Sequence, residues 1–214
     1  MVTVTVTNTG GPGLSGEREW MDRLYLSRDA GRTWSHIGLE MSRHISDVII
    51  HPTDENTFFV AVQGAQYGPS KDRGIYRTTD GGTTWEKVLY TDTTTGASSL
   101  SMDPDNPSVL YASLWQHRRY PWTMESGGPH SGLYKSTDGG STWKQMKDGL
   151  PEAFGKSGIS ASGALSDRVY AVLEAEGDKA GVYRSDDGGE HWQQVNKDRI
   201  NVARSWYYME IFAD

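Results

Sequence analysis

The sequence predicts an all-β protein built from one antiparallel unit repeated along the chain, and three observations carry that expectation. First, only 36% of the 214 residues are hydrophobic, yet the chain holds 8 Trp, 11 Tyr, 4 Phe and 25 Gly. Many rings and many turns with few aliphatic side chains favour sheet over helical packing. Second, the chain opens on Val2-Thr3-Val4-Thr5-Val6-Thr7-Asn8, which alternates with the two-residue period of a strand. Third, one eight-residue tract occurs four times: Ser27-Arg28-Asp29-Ala30-Gly31-Arg32-Thr33-Trp34, Thr78-Thr79-Asp80-Gly81-Gly82-Thr83-Thr84-Trp85, Ser136-Thr137-Asp138-Gly139-Gly140-Ser141-Thr142-Trp143 and Ser185-Asp186-Asp187-Gly188-Gly189-Glu190-His191-Trp192. Its aspartates are 51, 58 and 49 residues apart, the spacing of a supersecondary repeat.

Each tract reads as a hairpin corner. A strand ends at an aromatic-base pair (Tyr76-Arg77, Tyr134-Lys135, Tyr183-Arg184, with the looser Tyr25-Leu26 first), Asp-x-Gly supplies the positive-φ turn, and a new strand opens after Trp. The Asp accepts backbone N–H bonds, Ser or Thr anchors the other side and the indole covers the turn. Asp29, Asp80, Asp138 and Asp187, with Trp34, Trp85, Trp143 and Trp192, are therefore structural; four equivalent copies do not make one active site. Upstream of each tract lie two further strand candidates, so a unit has four strands. In the second unit these cover residues 45–51, 57–63, 74–78 and 85–90, in the third 98–102, 109–115, 132–136 and 143–146, and in the fourth 158–161, 168–174, 181–185 and 192–195. Pro52 and the Asp103-Pro104-Asp105-Asn106-Pro107 turn separate first from second strands, where no ladder donor is needed.

These tracts resemble the Asp-box, or bacterial neuraminidase, repeat Ser-x-Asp-x-Gly-x-Thr-Trp; Thr78 stands for Ser in the second and His191 for Thr in the fourth. The resemblance covers nearly the whole chain and implies the β-propeller of sialidases, xyloglucan-degrading hydrolases, sortilin-type receptors and photosystem assembly factors. Four blades are then expected in a single domain, 1–214, with approximate limits 1–40 plus 206–214, 45–90, 98–146 and 158–195. The tail 206–214 looks like a first strand, and its insertion inside residues 2–8 would complete the first blade and close the ring. Two alternatives remain: half of an eight-bladed dimer, or part of a larger propeller. The protein is accordingly expected as a monomer or homodimer.

Composition and motifs narrow the chemistry. With 21 Lys plus Arg against 28 Asp plus Glu, the formal charge of −7 argues against nucleic acid as a partner. No apolar run reaches the length of a membrane span. There is no Cys, no His-Glu-x-x-His, no Gly-x-Ser-x-Gly, and the glycine-rich 10–16 stretch lacks a Lys-Ser/Thr ending, so no cofactor and no metal is expected. A secreted or periplasmic location, its signal peptide absent from this chain, is expected, with the cytoplasm as the alternative.

In propellers the loops opposite the box turns carry ligands. Here those loops hold Arg43, His44, Gln66, Tyr67, Tyr90 and Asp92, the ring-rich stretch 115–130 with Trp115, His117, Arg118, Arg119, Tyr120, Trp122, Glu125 and His130, and then Arg204, Trp206 and Tyr207. Trp and Tyr stack on sugar rings, and Arg offers paired donors to a carboxylate or sulfate. Sialidase resemblance implies an arginine triad, for which Arg43, Arg118 or Arg119, and Arg204 are available, although the Arg-Ile-Pro signature is absent. A glycosidase needs two carboxylic acids across a cleft; Asp47, Asp92, Glu125 and Glu210 are the candidates, with Glu40 and Glu174 also outside the boxes. The expected activity is glycan binding or glycoside hydrolysis on this face. The alternative is a non-catalytic propeller that binds a protein partner.

Overall fold

The computed structural model describes residues 2–10 and 20–214, with the backbone alone for residues 8–10, 20 and 21; most of the glycine-rich stretch 10–16 thus lies outside the described residues. The strands form antiparallel propeller blades in chain order. Blade one holds β1 (Thr3–Gly10), β2 (Trp20–Ser27) and β3 (Ser35–His36). Blade two has β4 (Ile45–Ile50), β5 (Phe58–Val62), β6 (Gly74–Thr78) and β7 (Glu86–Leu89). Blade three has β8 (Thr95–Met102), β9 (Leu110–Arg119), β10 (Met124–Ser126), β11 (Gly132–Ser136) and β12 (Lys144–Met146). Blade four has β13 (Ser157–Ala161), β14 (Val169–Leu173), β15 (Gly181–Ser185) and β16 (Gln193–Asn196).

Box chemistry explains the third-to-fourth-strand corners. In the second box Thr78 Oγ1 donates to Asp80 Oδ1 at 2.8 Å and accepts from Gly82 N, while Asp80 takes the Thr84 N–H and, at 2.6 Å, the Thr84 hydroxyl. The first and third boxes repeat this set on Asp29 and Asp138. In the fourth, His191 gives Asp187 only its backbone N–H and turns its ring to Asp148 at 2.9 Å. The Gly that leads two of the third strands has its own reason. Gly74 and Gly181 sit at φ of 120° and 139°, and a Cβ there would run into the carbonyls of Leu89 and Asn196.

Blade two buries both faces, so its second strand is apolar throughout instead of alternating. In β5, Phe59 and Ala61 enter the core shared with blade three, while Phe58, Val60 and Val62 enter the core shared with blade one. A third core joins blade three to blade four through Tyr111, Leu133, Phe154, Ile159 and Trp192. Burying one large apolar side chain in such a core contributes about 1.5–3 kcal/mol. Among the described residues no such core joins blade four to blade one.

Toward the axis the inner strands are tied by hydroxyls. β-Bulges in β4 and β8 leave Ser46 and Ser98 out of the ladder. Ser46 Oγ then donates to Ala97 O at 2.7 Å, Ser98 Oγ to Ser157 O at 2.8 Å, and Ser101 Oγ accepts from Ala161 N at 2.9 Å.

The expected joining of the termini is corrected. β1 pairs with β2 along its length, blade one has three strands among the described residues, and residues 206–214 form no strand. The tail instead lies against β13, where Ser160 Oγ accepts from Ala213 N at 3.1 Å and Ser162 Oγ donates to Asp214 O at 2.7 Å. It therefore occupies, relative to β13, the place that β13 occupies relative to β8. A first-strand pattern was legible in the tail; its neighbour was not, because the same hydroxyl chemistry recurs on β4, β8 and β13.

Candidate functional site

The box turns share one end of the blades with the first-to-second-strand turns: Gly81 N donates to Asn56 O, Gly139 N to Ser108 O and Gly188 N to Asp167 O. The second-to-third-strand loops and the blade-to-blade connections lie at the opposite end. There the 115–130 stretch, expected as a loop, is half strand. β9 runs on to Arg119, and β10 pairs back on it with Ser126 opposite His117 and Glu125 opposite Arg118. Tyr120 N donates to Thr123 O and closes the tip, which holds Trp122 out at 81% exposure.

Three connections meet around Arg119. Its backbone N–H donates to Gln66 O of the blade-two loop at 2.8 Å. Its Nη2 donates to Tyr207 Oη of the C-terminal turn at 2.8 Å, and the guanidinium lies 5.5 Å from that ring's centroid. Tyr120 and Trp122 stack with centroids 5.8 Å apart, and Arg118 covers Tyr120 at 4.9 Å. Tyr67, Trp206, Tyr207 and Tyr208 are exposed at the same end. Trp206 is oriented by Glu174 Oε1, which accepts its indole N–H at 2.7 Å; Oε2 of the same carboxylate accepts from Ser126 Oγ and Lys156 N. A cavity of about 380 Å³ is lined by Glu174 and residues 202–207.

Two of the expected ligand residues are closed off. Trp115 is fully buried, its indole donating to Ser126 Oγ, and His117 is buried in a stack upon it with centroids 4.2 Å apart. Alternation along β9 explains this: an extended strand turns these side chains inward, where a loop would have shown them. Arg43 and His44 belong to the connection from blade one to blade two. Arg43 is held at φ 65°, its carbonyl accepting from Asp22 N, and His44 Nδ1 lies 3.9 Å from Asp22. Burial pushes the His44 imidazole below its ordinary value despite Asp22. Arg204 is exposed, and its carbonyl caps the turn by accepting from Tyr207 N and Tyr208 N.

Beneath the ring cluster lies a residue that sequence reading missed. Arg73 is 0% exposed and faces backbone carbonyls instead of a carboxylate. It donates to Thr94 O at 2.8 Å, to Ala65 O at 2.5 Å and to Gly68 O at 3.3 Å, and its Nη1 is 3.1 Å from His117 Nδ1. Burial lowers its pKa to about 10, with Asp92 opposing. Burial, reinforced by Arg73, pushes His117 down to about 3, so the imidazole is neutral. One guanidinium thus holds together the loops at 65–68 and 94 and the base of the β9–β10 hairpin.

The four carboxylate candidates separate. Burial pushes Asp92 up, but bonds from Thr94 and Thr95 outweigh it and hold the carboxyl below its ordinary value, as suits a turn anchor. Glu125 is exposed and accepts from Tyr120 Oη at 3.3 Å. Asp47 and Glu210 are brought together: both line a cleft of about 330 Å³ among the inner strands, floored by Ser46, Ser98, Ser99 and Ser101. Burial raises the Asp47 pKa, and the Glu210 charge adds to this, against hydrogen bonds from Leu100 N and Val48 N. Lys156 is lowered by burial, with Glu210 and Glu174 opposing. Among the described residues no cluster of three His, Cys, Asp or Glu can hold a metal ion, and no helix is long and apolar enough to cross a membrane.

Comparison with known proteins agrees with this architecture. The chain is 28% identical over 151 residues to a xyloglucanase of Hypocrea jecorina (strain QM6a), covering 69% of this chain and 15% of that protein. It superposes on a GH74 enzyme of Niastella koreensis with a TM-score of 0.63 at 21% identity, over 89% of this chain and 27% of that one. A GH74 xyloglucanase of Xanthomonas campestris gives 0.61 at 19% identity, over 91% and 28%. The chain thus spans about a quarter or less of these relatives, and the structural likeness is one of fold. The Sortilin-Vps10 family model (sortilin, neurotensin receptor 3) matches residues 22–157, more than half of the sequence. On the strength of that match and of the boxes that build its corners, the chain belongs to the Sortilin-Vps10 family.

Proposed function

We propose that the end of the blades opposite the Asp boxes is a carbohydrate-binding face, and that the protein is a glycan-active propeller of glycoside hydrolase type. The observation that carries this reading is the convergence of three connections, at Gln66–Tyr67, Arg119–Trp122 and Trp206–Tyr207, into a face of exposed rings with oriented polar groups between them. Aromatic faces supply stacking area for sugar rings, and the Trp122 tip has no role in the core. Similarity to a xyloglucanase supports a polysaccharide as ligand, and such a ligand places the working protein outside the cytoplasm. Any hydrolysis is assigned to the cleft between Asp47 and Glu210, the raised Asp47 carboxyl acting as acid and Glu210 as base.

Polysaccharide retention in affinity electrophoresis tests the reading. Trp122→Ala is expected to weaken retention about tenfold or more, a loss of stacking of the order of 1–2 kcal/mol, while the melting temperature stays that of the parent protein. Retention that is indifferent to Trp122→Ala and to Tyr67→Ala removes this face from the site. A protein partner caught by the same face, and lost with Trp122→Ala, would favour the non-catalytic alternative.

A further inference from the structure

The ring-bearing end carries a charge imbalance that bears on which saccharide it accepts. At the box end Arg28 pairs with Glu55, Arg77 with Glu86, and Arg168 and Arg184 share Asp186. Arg119 has no carboxylate at ion-pair distance among the described residues; its guanidinium meets Tyr207 alone, by the 2.8 Å bond and the ring contact. Because the Tyr207 oxygen accepts from Arg119, its own hydrogen points away and is left to donate. Arg119 keeps further N–H donors, being half-buried beside an exposed Tyr207. To solvent the pair therefore offers donors. Arg118 adds a second guanidinium from the other side of the strand, and Glu125, its cross-strand neighbour, bonds Tyr120 instead.

A neutral sugar hydroxyl can accept from such a donor-only pair but finds no acceptor there for its own proton. A carboxylate accepts at two oxygens, and a guanidinium with an adjacent O–H matches it. We infer that the face selects saccharides that carry a carboxylate, as uronic acids do, with the carboxylate seated on the Arg119 guanidinium and the Tyr207 hydroxyl. This rests on the carbohydrate-binding reading above. The net charge of −7 repels a polyanion at long range, but at physiological salt that field is screened within about 8 Å, and the short-range contacts decide.

The test compares three probes on the intact protein: polygalacturonate, the same polymer with its carboxyls methyl-esterified, and neutral xyloglucan. The expected result is about tenfold tighter binding of polygalacturonate than of the ester. Arg119→Gln removes that preference, and Tyr207→Phe, which keeps the ring and deletes the hydroxyl, reduces it severalfold. Tyr207 is exposed, so the second variant keeps the test valid if the first is poorly folded. Equal or tighter binding of the ester overturns the inference. So does binding of xyloglucan that needs Trp122 but not Arg119, which leaves the carbohydrate reading standing. Retention of none of the three overturns both.

Discussion

At the box end, Asp29, Asp80 and Asp138 are each held by hydroxyls and backbone N–H groups within their own eight residues, Asp187 by one hydroxyl and one backbone N–H, and the arginines of the flanking strands meet carboxylates. At the opposite end, guanidiniums meet rings, a phenol and bare carbonyls, and the bonds cross from blade to blade. The difference teaches that turn closure and loop assembly fall at opposite ends. At the box end each corner is closed by contacts up to four residues apart, with Arg28–Glu55, Arg77–Gly139 and Lys144–Glu190 tying neighbouring blades around the corners; the other end is held by contacts between loops of different blades, which is where a ligand finds groups not already committed.

The comparison is open to measurement, and the largest effect lies at the box end. Trp34 and Trp192 hold equivalent places and donate to the carbonyls of Gly31 and Gly189, but Trp34 is 41% exposed and Trp192 1%. Trp192→Ala is expected to cost about 3–5 kcal/mol in urea unfolding, and Trp34→Ala less than about 1 kcal/mol. Equal costs would mean that the box hydrogen bonds, and not burial between blades, set the contribution of the indole.

At the opposite end, Arg73→Met leaves the carbonyls of Thr94, Ala65 and Gly68 without their donor. It is expected to cost about 3 kcal/mol and to raise hydrogen exchange in the β9–β10 hairpin while the box turns keep their protection. Uniform loss of protection across all blades would contradict the separation.

Acid should divide the two ends in a fixed order. His117 is held near 3, below its ordinary 6.5, so the stability of the neutral imidazole is complete above about 6.5 and is lost as pH falls toward 3. Asp29, Asp80 and Asp138 are held near 2 by bonds from Thr33, Thr84 and Thr142, against an ordinary 3.8. Their contribution is complete above about 4 and is lost as pH falls through about 2. Hydrogen exchange followed downward from pH 7 is therefore expected to rise first around residues 115–126 and only below pH 4 in the boxes. The reverse order would undo the assignment of the two pKa shifts to these two ends.

What was legible in the sequence follows the same division. The boxes were readable because their bonds close within a few residues, so residue type and spacing alone specify them. β5 was readable as a strand from its apolar run, although its two-sided burial needs neighbours on both sides. Trp115 and His117 read as surface rings because nothing local marks where β9 stops, and three extra residue pairs of strand turn a loop into a buried stack. Arg73 follows Lys71 and Asp72 in a polar stretch that reads as solvated; its burial is decided by carbonyls five, eight and twenty-one residues away and by His117 on the next blade. Asp47 and Glu210 were readable as carboxylates outside the boxes, but their meeting depends on where the tail docks, which local pattern does not encode.

The serine hydroxyls on the inner strands bring one last consequence. Ser46, Ser98, Ser101 and Ser160 each fasten one inner strand to the next, or to the tail, by bonds running across the axis side instead of along a ladder. Each acts as a notch that sets the height of one unit against its neighbour, independent of the grease between them. Ser101→Ala removes one of these ties, while Ser98 and Ser99 still bond Ser157 and Ile159 and hold the same two units in register, so the setting of each unit is shared among several oxygen atoms.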